Sequence, residues 1–364
     1  MKIPIITLHF SINYGGALQA YAHCEAIRKV GHEPVLLDYC PAAYNLCYSP
    51  WKNWGLRSQL PLSRMYNRTL YALKYRKFKE FKRQYFPCSI KINSREELRA
   101  YVKANFDRII VGSDQVWNTN YVIQRPECTY FLDFLKPEDG IRKFSFASCF
   151  GAKTQLPELE SKLPHLLSEF EEVAVRNRFS AEMYTAYTGR EAKVVSDPSA
   201  LSDFSGLGNK RLLADDYLLV YGNNMEPTAE LYERAKKVEG VNGIRILVLG
   251  GGRIKLRKQD VSKSYASPND WVSAFKHARF LVTNSFHATQ FAQKFKLPFV
   301  AYEDGELVHR LYSSLLEVGL ADRLVGWQDP RSFNLDDVVD FSQSAKVMLS
   351  RYHESMAVLE RYCS

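Results

Sequence analysis

The chain has 364 residues, 46% hydrophobic and 24% charged, with a net charge of +9. That length and composition accommodate two domains with sizeable cores. No stretch reaches the ~18–20 apolar residues of a membrane-spanning helix.

The amino terminus, Met1-Lys2-Ile3-Pro4-Ile5-Ile6, starts directly as a strand and lacks the apolar core and cleavage site of a secretion signal. Ile3 to Phe10 reads as a β run, followed by Asn13-Tyr14-Gly15-Gly16 and a helix over about 17–30 that Gly31 stops. Two glycines opening a helix let backbone approach a ligand closely. Pro34 to Tyr39 is the second strand, so the chain begins β-α-β, which implies a parallel sheet. Seven cysteines (Cys24, Cys40, Cys47, Cys88, Cys128, Cys149 and Cys363) lie scattered without a C-x-x-C pair. They point to reduced thiols in a cytosol and away from structural zinc, and no metal ligands are expected from the histidine spacing.

An insertion over about 40–85 comes next. From Arg57 to Lys91 there are ten basic residues against one acid, Glu80; the rest of the chain balances at 39 against 39. Tyr71, Tyr75, Phe78 and Phe81 fall at helical spacing among those cations, with Trp51, Trp54 and Tyr66 upstream. Three roles compete for such an arm: a helix packed on its own domain, attachment to an anionic membrane, or binding of a polyanionic substrate. No nucleic-acid motif accompanies it, and a charge excess confined to one element argues against a general nucleic-acid surface.

Arg108 to Gly112 is a buried strand ending in Ser113-Asp114-Gln115-Val116-Trp117-Asn118, polar and aromatic groups where a parallel sheet places its ligands. Strands follow at 142–146 and 173–175 with a helix over about 158–172 between them, and Lys193 to Val195 completes about six strands. Arg176, at the end of its strand, is suited to clamp a carboxylate or phosphate. A polar linker spans 202–215, after which the alternation restarts. Strands are expected at 217–221, 244–249, 280–282 and 298–302, and helices at about 228–238, 270–277, 288–295 and 307–316, with a terminal helix at 342–362. Between Val282 and Ala288 lie Thr283, Asn284, Ser285 and His287, polar side chains where a strand ends and a helix begins. A helix amino end suits an anion, and a histidine there holds or gives a proton near neutral pH. The expected fold is α/β, with domains at 1–203 and 215–340 and a closing helix at 342–364.

These motifs, in this order, resemble the polysaccharide pyruvyl transferases. The shared blocks are Asn13-Tyr14-Gly15-Gly16 with Leu18-Gln19-Ala20; Gly112-Ser113-Asp114-Gln115-Val116-Trp117-Asn118; Ser148-Cys149-Phe150-Gly151; Val173-Ala174-Val175-Arg176; Asp197-Pro198; Thr283-Asn284-Ser285-Phe286-His287; and Arg310 with Ser314-Leu315-Leu316. The resemblance implies two Rossmann-like, GT-B-like domains with parallel sheets facing across a cleft. It implies transfer of the enolpyruvyl unit of phosphoenolpyruvate to two hydroxyls of a sugar, as a cyclic ketal, in capsule or exopolysaccharide synthesis. This chain departs from the family pattern at Phe286, where many members carry arginine, at Ala288, usually glycine, and at Asn177, commonly acidic.

On that footing His287 is expected to act as general acid/base, worth typically 10²–10⁴-fold, and Asp114 to orient or deprotonate the acceptor. Arg176 and Arg310, helped by Ser285 and Asn284 at the helix start, are expected to hold phosphoenolpyruvate. Asn13, Gly15, Gly16, Ser113, Gln115, Trp117 and Asn118 are expected to bind the acceptor, with Trp117 stacking on a sugar face. Phosphoenolpyruvate is expected as donor substrate with no further cofactor, and the acceptor as a sugar on a lipid-linked oligosaccharide. The setting is cytoplasmic, with peripheral membrane contact through the arm 57–91 and no nucleic-acid partner. Two alternatives share this architecture: a nucleotide-sugar glycosyltransferase and a non-catalytic sugar- or lipid-binding relative.

Overall fold

The computed structural model describes residues 1–40, 61–119, 128–151, 156–222, 225–250, 254–303 and 308–364, apart from the side chains of 61–68, 225–227 and 308–310. Trp51, Trp54, Gly251 and Gly252, and the side chains of Tyr66 and Arg310, lie outside the described residues.

The first sheet contains β1 (Lys2–Ile6), β2 (Glu33–Tyr39), β3 (Cys88–Ile92), β4 (Arg108–Val111), β5 (Arg142–Ser148), β6 (Glu172–Val175) and β7 (Lys193–Val194). Its spatial order is β3-β2-β1-β4-β5-β6-β7, with every pairing parallel. Helices α1 (Tyr14–Lys29), the last four residues of α2 (Pro61–Tyr85), α3 (Arg95–Asn105), α4 (Pro157–Glu160), α5 (Leu163–Ser168), α6 (Arg178–Thr188) and α7 (Pro198–Leu201) accompany it. Central β4 is buried along its whole length, as a strand covered on both faces must be, whereas the edge strands β3 and β7 are largely exposed.

The second sheet contains β8 (Tyr217–Tyr221), β9 (Arg245–Leu249), β10 (Val261–Lys263), β11 (Phe280–Thr283), β12 (Phe299–Tyr302) and β13 (Leu324–Val325), in the order β10-β9-β8-β11-β12-β13. It too is parallel throughout. Its helices are α8 (Met225–Ala235), α9 (Pro268–His277), α10 (Phe286–Phe295), α11 (Val308–Glu317) and α12 (Ser342–Cys363). Strands β8, β11 and β12 are buried throughout. The protein is therefore α/β with two parallel, doubly wound sheets.

Two compact units result. One comprises residues 1–55, 82–202 and 351–364, the other 56–81 and 203–350. The terminal helix is thus divided between them rather than standing apart. In the first unit, the Arg108 guanidinium donates to the Tyr362 carbonyl at 3.1 Å and Tyr362 stacks on Phe144. In the second, Ser344 donates to the Gln293 side chain at 2.9 Å.

Two differences from the sequence reading have local causes. The helix expected over 158–172 is broken into α4 and α5, because Pro164 in the first turn of α5 cannot donate to the preceding turn. Strand β3 and helix α3 were not anticipated; β3 alternates too weakly, with one fully buried position in five.

The basic helix α2 buries Phe78 and Phe81, each contributing ~1.5–3 kcal/mol of apolar transfer. Lys77 pairs with Asp270 at 3.1 Å and lies over the Tyr265 ring. Burial pushes the Lys74 and Lys82 amines down to about 8. Part of the arm's charge is therefore engaged in folding.

Candidate functional site

In a doubly wound sheet, ligands bind at the carboxyl end where the winding reverses. In the first unit that place lies between β1 and β4. Thr7, just past β1, donates its hydroxyl to the Ser113 carbonyl at 3.1 Å and accepts from Gln19 of α1 at 3.0 Å. Gly112, just past β4, has φ +133, and a Cβ there would stand 2.0 Å from the Phe146 carbonyl oxygen, so only glycine fits.

The turn that follows is knit by carboxylates. Ser113 Oγ accepts from the Asp114 amide at 2.6 Å and donates to Asp197 Oδ2 at 3.2 Å. That same oxygen accepts from Arg176 Nη1 at 3.1 Å, and Asp114 Oδ1 lies 3.5 Å from Nη1. Asp197 Oδ1 is held by the Ser199 amide and hydroxyl at 3.0 and 2.7 Å. The Arg176 side chain is 4% exposed, yet its Nε and Nη2 make no hydrogen bond. Burial opposes the guanidinium's charge, but Cys149, Asp197 and Asp114 outweigh it and hold its pKa above the ordinary value. Asp114 is the accessible member of the group, its side chain 23% exposed and its backbone left-handed at φ +75. Its Oδ2 lies 3.7 Å from where a Cβ on Gly16 would stand, against the first turn of α1. Asn13 caps that helix, accepting from the Gly16 amide at 3.1 Å; Gly15 sits buried in the same turn.

The remaining residues expected in the first unit divide. Asn118 donates to the Gln115 side chain at 3.0 Å, both packed against Gly151, where a Cβ would come within 2.5 Å of Gln115. Trp117 does not stack on a sugar. It is 0% exposed, packed among Phe131, Phe150 and Phe170, with its indole N–H donating to the Tyr130 carbonyl at 3.0 Å. It is a core residue whose truncation costs about 3–5 kcal/mol.

In the second unit the winding reverses between β8 and β11. Thr283 ties the two strands, donating to the Tyr221 carbonyl at 2.7 Å and accepting from the Ser285 amide at 3.0 Å. Ser285 caps α10, its hydroxyl accepting from the Ala288 amide at 3.5 Å. Asn284 is buried beside it. His287 is half-buried in the first turn of α10, its ring 5.7 Å from that of Phe286. The sequence thus brings Asn284, Ser285 and His287 to one strand-to-helix junction, while Asp114, Arg176 and Ser113 share one network in the other unit.

Asp197 escaped the sequence reading as a site residue, although Asp-Pro stood among the motifs. A carboxylate that reaches back to two other strand ends has no local signature. His23, buried on α1 behind Gly112, has its pKa pushed down to about 4 by burial and stays neutral at physiological pH. Among the described residues, no group of three or more His, Cys, Asp or Glu side chains could hold a metal ion, and no helix is long and apolar enough to cross a membrane.

The fold and these junctions define a protein with two Rossmann-like α/β units, each carrying polar side chains where its sheet reverses. The family model described as polysaccharide pyruvyl transferase matches residues 13–306, and the chain belongs to that family of transferases. No curated protein matches the chain significantly. Solved structures similar to it share little sequence. UDP-GlcNAc 2-epimerase from Methanocaldococcus jannaschii is 11% identical, with 99% of this chain and 93% of that one covered and a TM-score of 0.49. Arabidopsis thaliana UGT89C1 complexed with UDP-L-rhamnose is 12% identical, with 100% and 93% covered and a TM-score of 0.49. The spinosyn forosaminyltransferase SpnP is 13% identical, with 100% and 94% covered and a TM-score of 0.44.

Proposed function

We propose that the protein transfers pyruvate from phosphoenolpyruvate to two hydroxyls of a sugar, forming a cyclic ketal and releasing phosphate, in the assembly of a capsule or exopolysaccharide. Family membership supports transfer to a polysaccharide-type acceptor. The observation that carries the donor is Arg176: a buried guanidinium with Nε and Nη2 unused, beside the accessible Asp114 carboxylate. Two parallel N–H groups match the two oxygens of a carboxylate.

In this reaction one sugar hydroxyl adds to the central carbon of phosphoenolpyruvate while its methylene takes up a proton. Phosphate then leaves, and the second hydroxyl closes the ketal. Of the two hydroxyl protons, one balances the new methyl group and the other leaves with phosphate. We assign the proton delivered to the methylene to His287 and hydroxyl deprotonation to Asp114. The amino end of α10, with Asn284 and Ser285, suits the phosphate, and Arg310 is assigned to the donor from its place in the family motif. Asn13, Gly15, Gly16, Ser113, Gln115 and Asn118 belong to the acceptor side.

The test is incubation of the purified protein with phosphoenolpyruvate and a galactose-containing lipid-linked acceptor. Phosphate release is expected, with a product heavier than the acceptor by the mass of pyruvic acid less one water. Arg176→Gln should raise the KM for phosphoenolpyruvate. Turnover with a UDP-sugar instead would make the protein a glycosyltransferase; silence with every donor would make it a binding relative.

A lipid-linked acceptor implies a cytoplasmic enzyme working at the inner face of the membrane, with the arm 57–91 as its contact. Arg76, Lys79 and Arg83 are exposed on α2, and each cation near an anionic surface adds about 1 kcal/mol. Lys79→Glu with Arg83→Glu should weaken binding to anionic vesicles; undiminished binding would remove the arm from this role.

A further inference from the structure

One polar pair at the carboxyl end of the first sheet makes no direct contact with Asp114, Asp197 or Arg176 in the hydrogen bonds and ion pairs described above. His9, two residues past Thr7, is 1% exposed. Its Nδ1 lies 3.1 Å from the Thr7 carbonyl oxygen and its Nε2 3.3 Å from Oδ1 of Asp38. Asp38 is the penultimate residue of β2, the strand hydrogen-bonded to β1, and its side chain is 41% exposed. The carboxylate is thus fixed from behind by a buried ring and open in front. The His9 contact holds its pKa below the usual carboxylate value, so it is an acceptor of hydrogen bonds at neutral pH.

Position supplies the chemistry. In β-α-β units that bind dinucleotides, the first helix follows a glycine turn and its amino end faces the pyrophosphate. An acidic side chain about 20 residues on, at the end of the second strand, accepts the ribose hydroxyls. Here Gly15 and Gly16 open α1 and Asp38 closes β2, so the diol-accepting position is filled. The pyrophosphate position is not open to an anion: Asp114 Oδ2 stands 3.7 Å from the Cβ position of Gly16, at the start of α1. A carboxylate there repels a diphosphate and leaves neutral hydroxyls as the suitable guests.

We propose that Asp38, oriented by His9, is a diol-binding subsite for the acceptor sugar, accepting hydrogen bonds from a pair of neighbouring hydroxyls. This rests on the reading of the first unit as the acceptor side. The subsite lies in the same unit and at the same sheet end as Asp114, joined to it through bonded atoms: His9 to the Thr7 carbonyl, and the Thr7 hydroxyl to the Ser113 carbonyl.

Asp38→Asn keeps shape and removes charge. In steady-state kinetics it should raise the KM for the galactose-containing acceptor about 10- to 100-fold, the range of a lost charged hydrogen bond, with the KM for phosphoenolpyruvate and the melting temperature unchanged. An unchanged acceptor KM, or an equal rise in both KM values, would overturn the subsite. A second arm does not depend on turnover. Ligand-observed NMR with a galactose-containing oligosaccharide, and separately with UDP, should show the sugar bound by the wild type and released by Asp38→Asn, with UDP unaffected. Sensitivity of UDP alone would assign the carboxylate to a nucleotide ribose and overturn the sugar; binding of neither probe by the wild type would overturn the subsite as well. Sugar binding lost in Asp38→Asn while the wild type leaves phosphoenolpyruvate intact would uphold the subsite and sink only the pyruvyl transfer.

Discussion

The two sheet ends solve the same geometric problem with opposite electrostatics. In the first unit the reversal between β1 and β4 gathers Asp114, Asp197 and Arg176, with Asp38 and His9 alongside. In the second, between β8 and β11, the described groups are neutral hydroxyls and an amide, Thr283, Asn284 and Ser285, at the start of a helix that carries His287. A crowd of carboxylates favours neutral hydroxyls that are to lose protons. A helix amino end with no acid in its first turn favours an anion. The same fold thus carries a charged network at one sheet end and neutral groups at the other, and the side chains that follow the strands make the difference.

That contrast can be broken at His287. If the proton donor belongs to the second unit, His287→Ala lowers the rate of pyruvyl transfer about 10²–10⁴-fold and leaves the melting temperature within a degree or two. A variant that unfolds instead makes the histidine a packing residue. In the first unit the corresponding weakness is acid. The folded pKa of His23 is depressed to about 4 from an ordinary 6.5. Its contribution is therefore fully present above pH 6.5 and is lost as pH falls toward 4, on the order of 3 kcal/mol in all. Urea titrations from pH 7 to 4 should show that loss in the wild type and a shallower one in His23→Asn; identical slopes would refute it. The smallest effect is expected at the cap of α10. Ser285→Ala should cost about 1 kcal/mol of stability, read by thermal melting, and should raise the KM for phosphoenolpyruvate only modestly. A loss of activity as large as that of His287→Ala would move Ser285 into the chemistry itself.

Much of this organisation was legible along the chain. Buried parallel strands are continuous apolar runs, so β1, β4, β8 and β11 announced themselves, and so did the polar residues placed just beyond their ends. Gly112 was legible as part of a motif, though its reason, a carbonyl 2.0 Å from any added Cβ, was not. Elements with weak burial were lost: β3 exposes most of its residues, and α3 buries only Leu98 and Val102. Trp117 was misplaced because an aromatic in a site-like motif looks the same whether it faces a ligand or Phe131, Phe150 and Phe170.

By itself the sequence determined the alternation of strand and helix, hence two parallel sheets and the junctions where polar side chains collect, because periodicity and strand-end composition are local properties. The tertiary structure alone decided which of those side chains meet. Asp197 reaching Arg176 and Ser113, Asp38 held by His9, and a terminal helix divided between two units all join residues far apart in the chain. Their distances depend on how strands are ordered in a sheet, which no local pattern encodes.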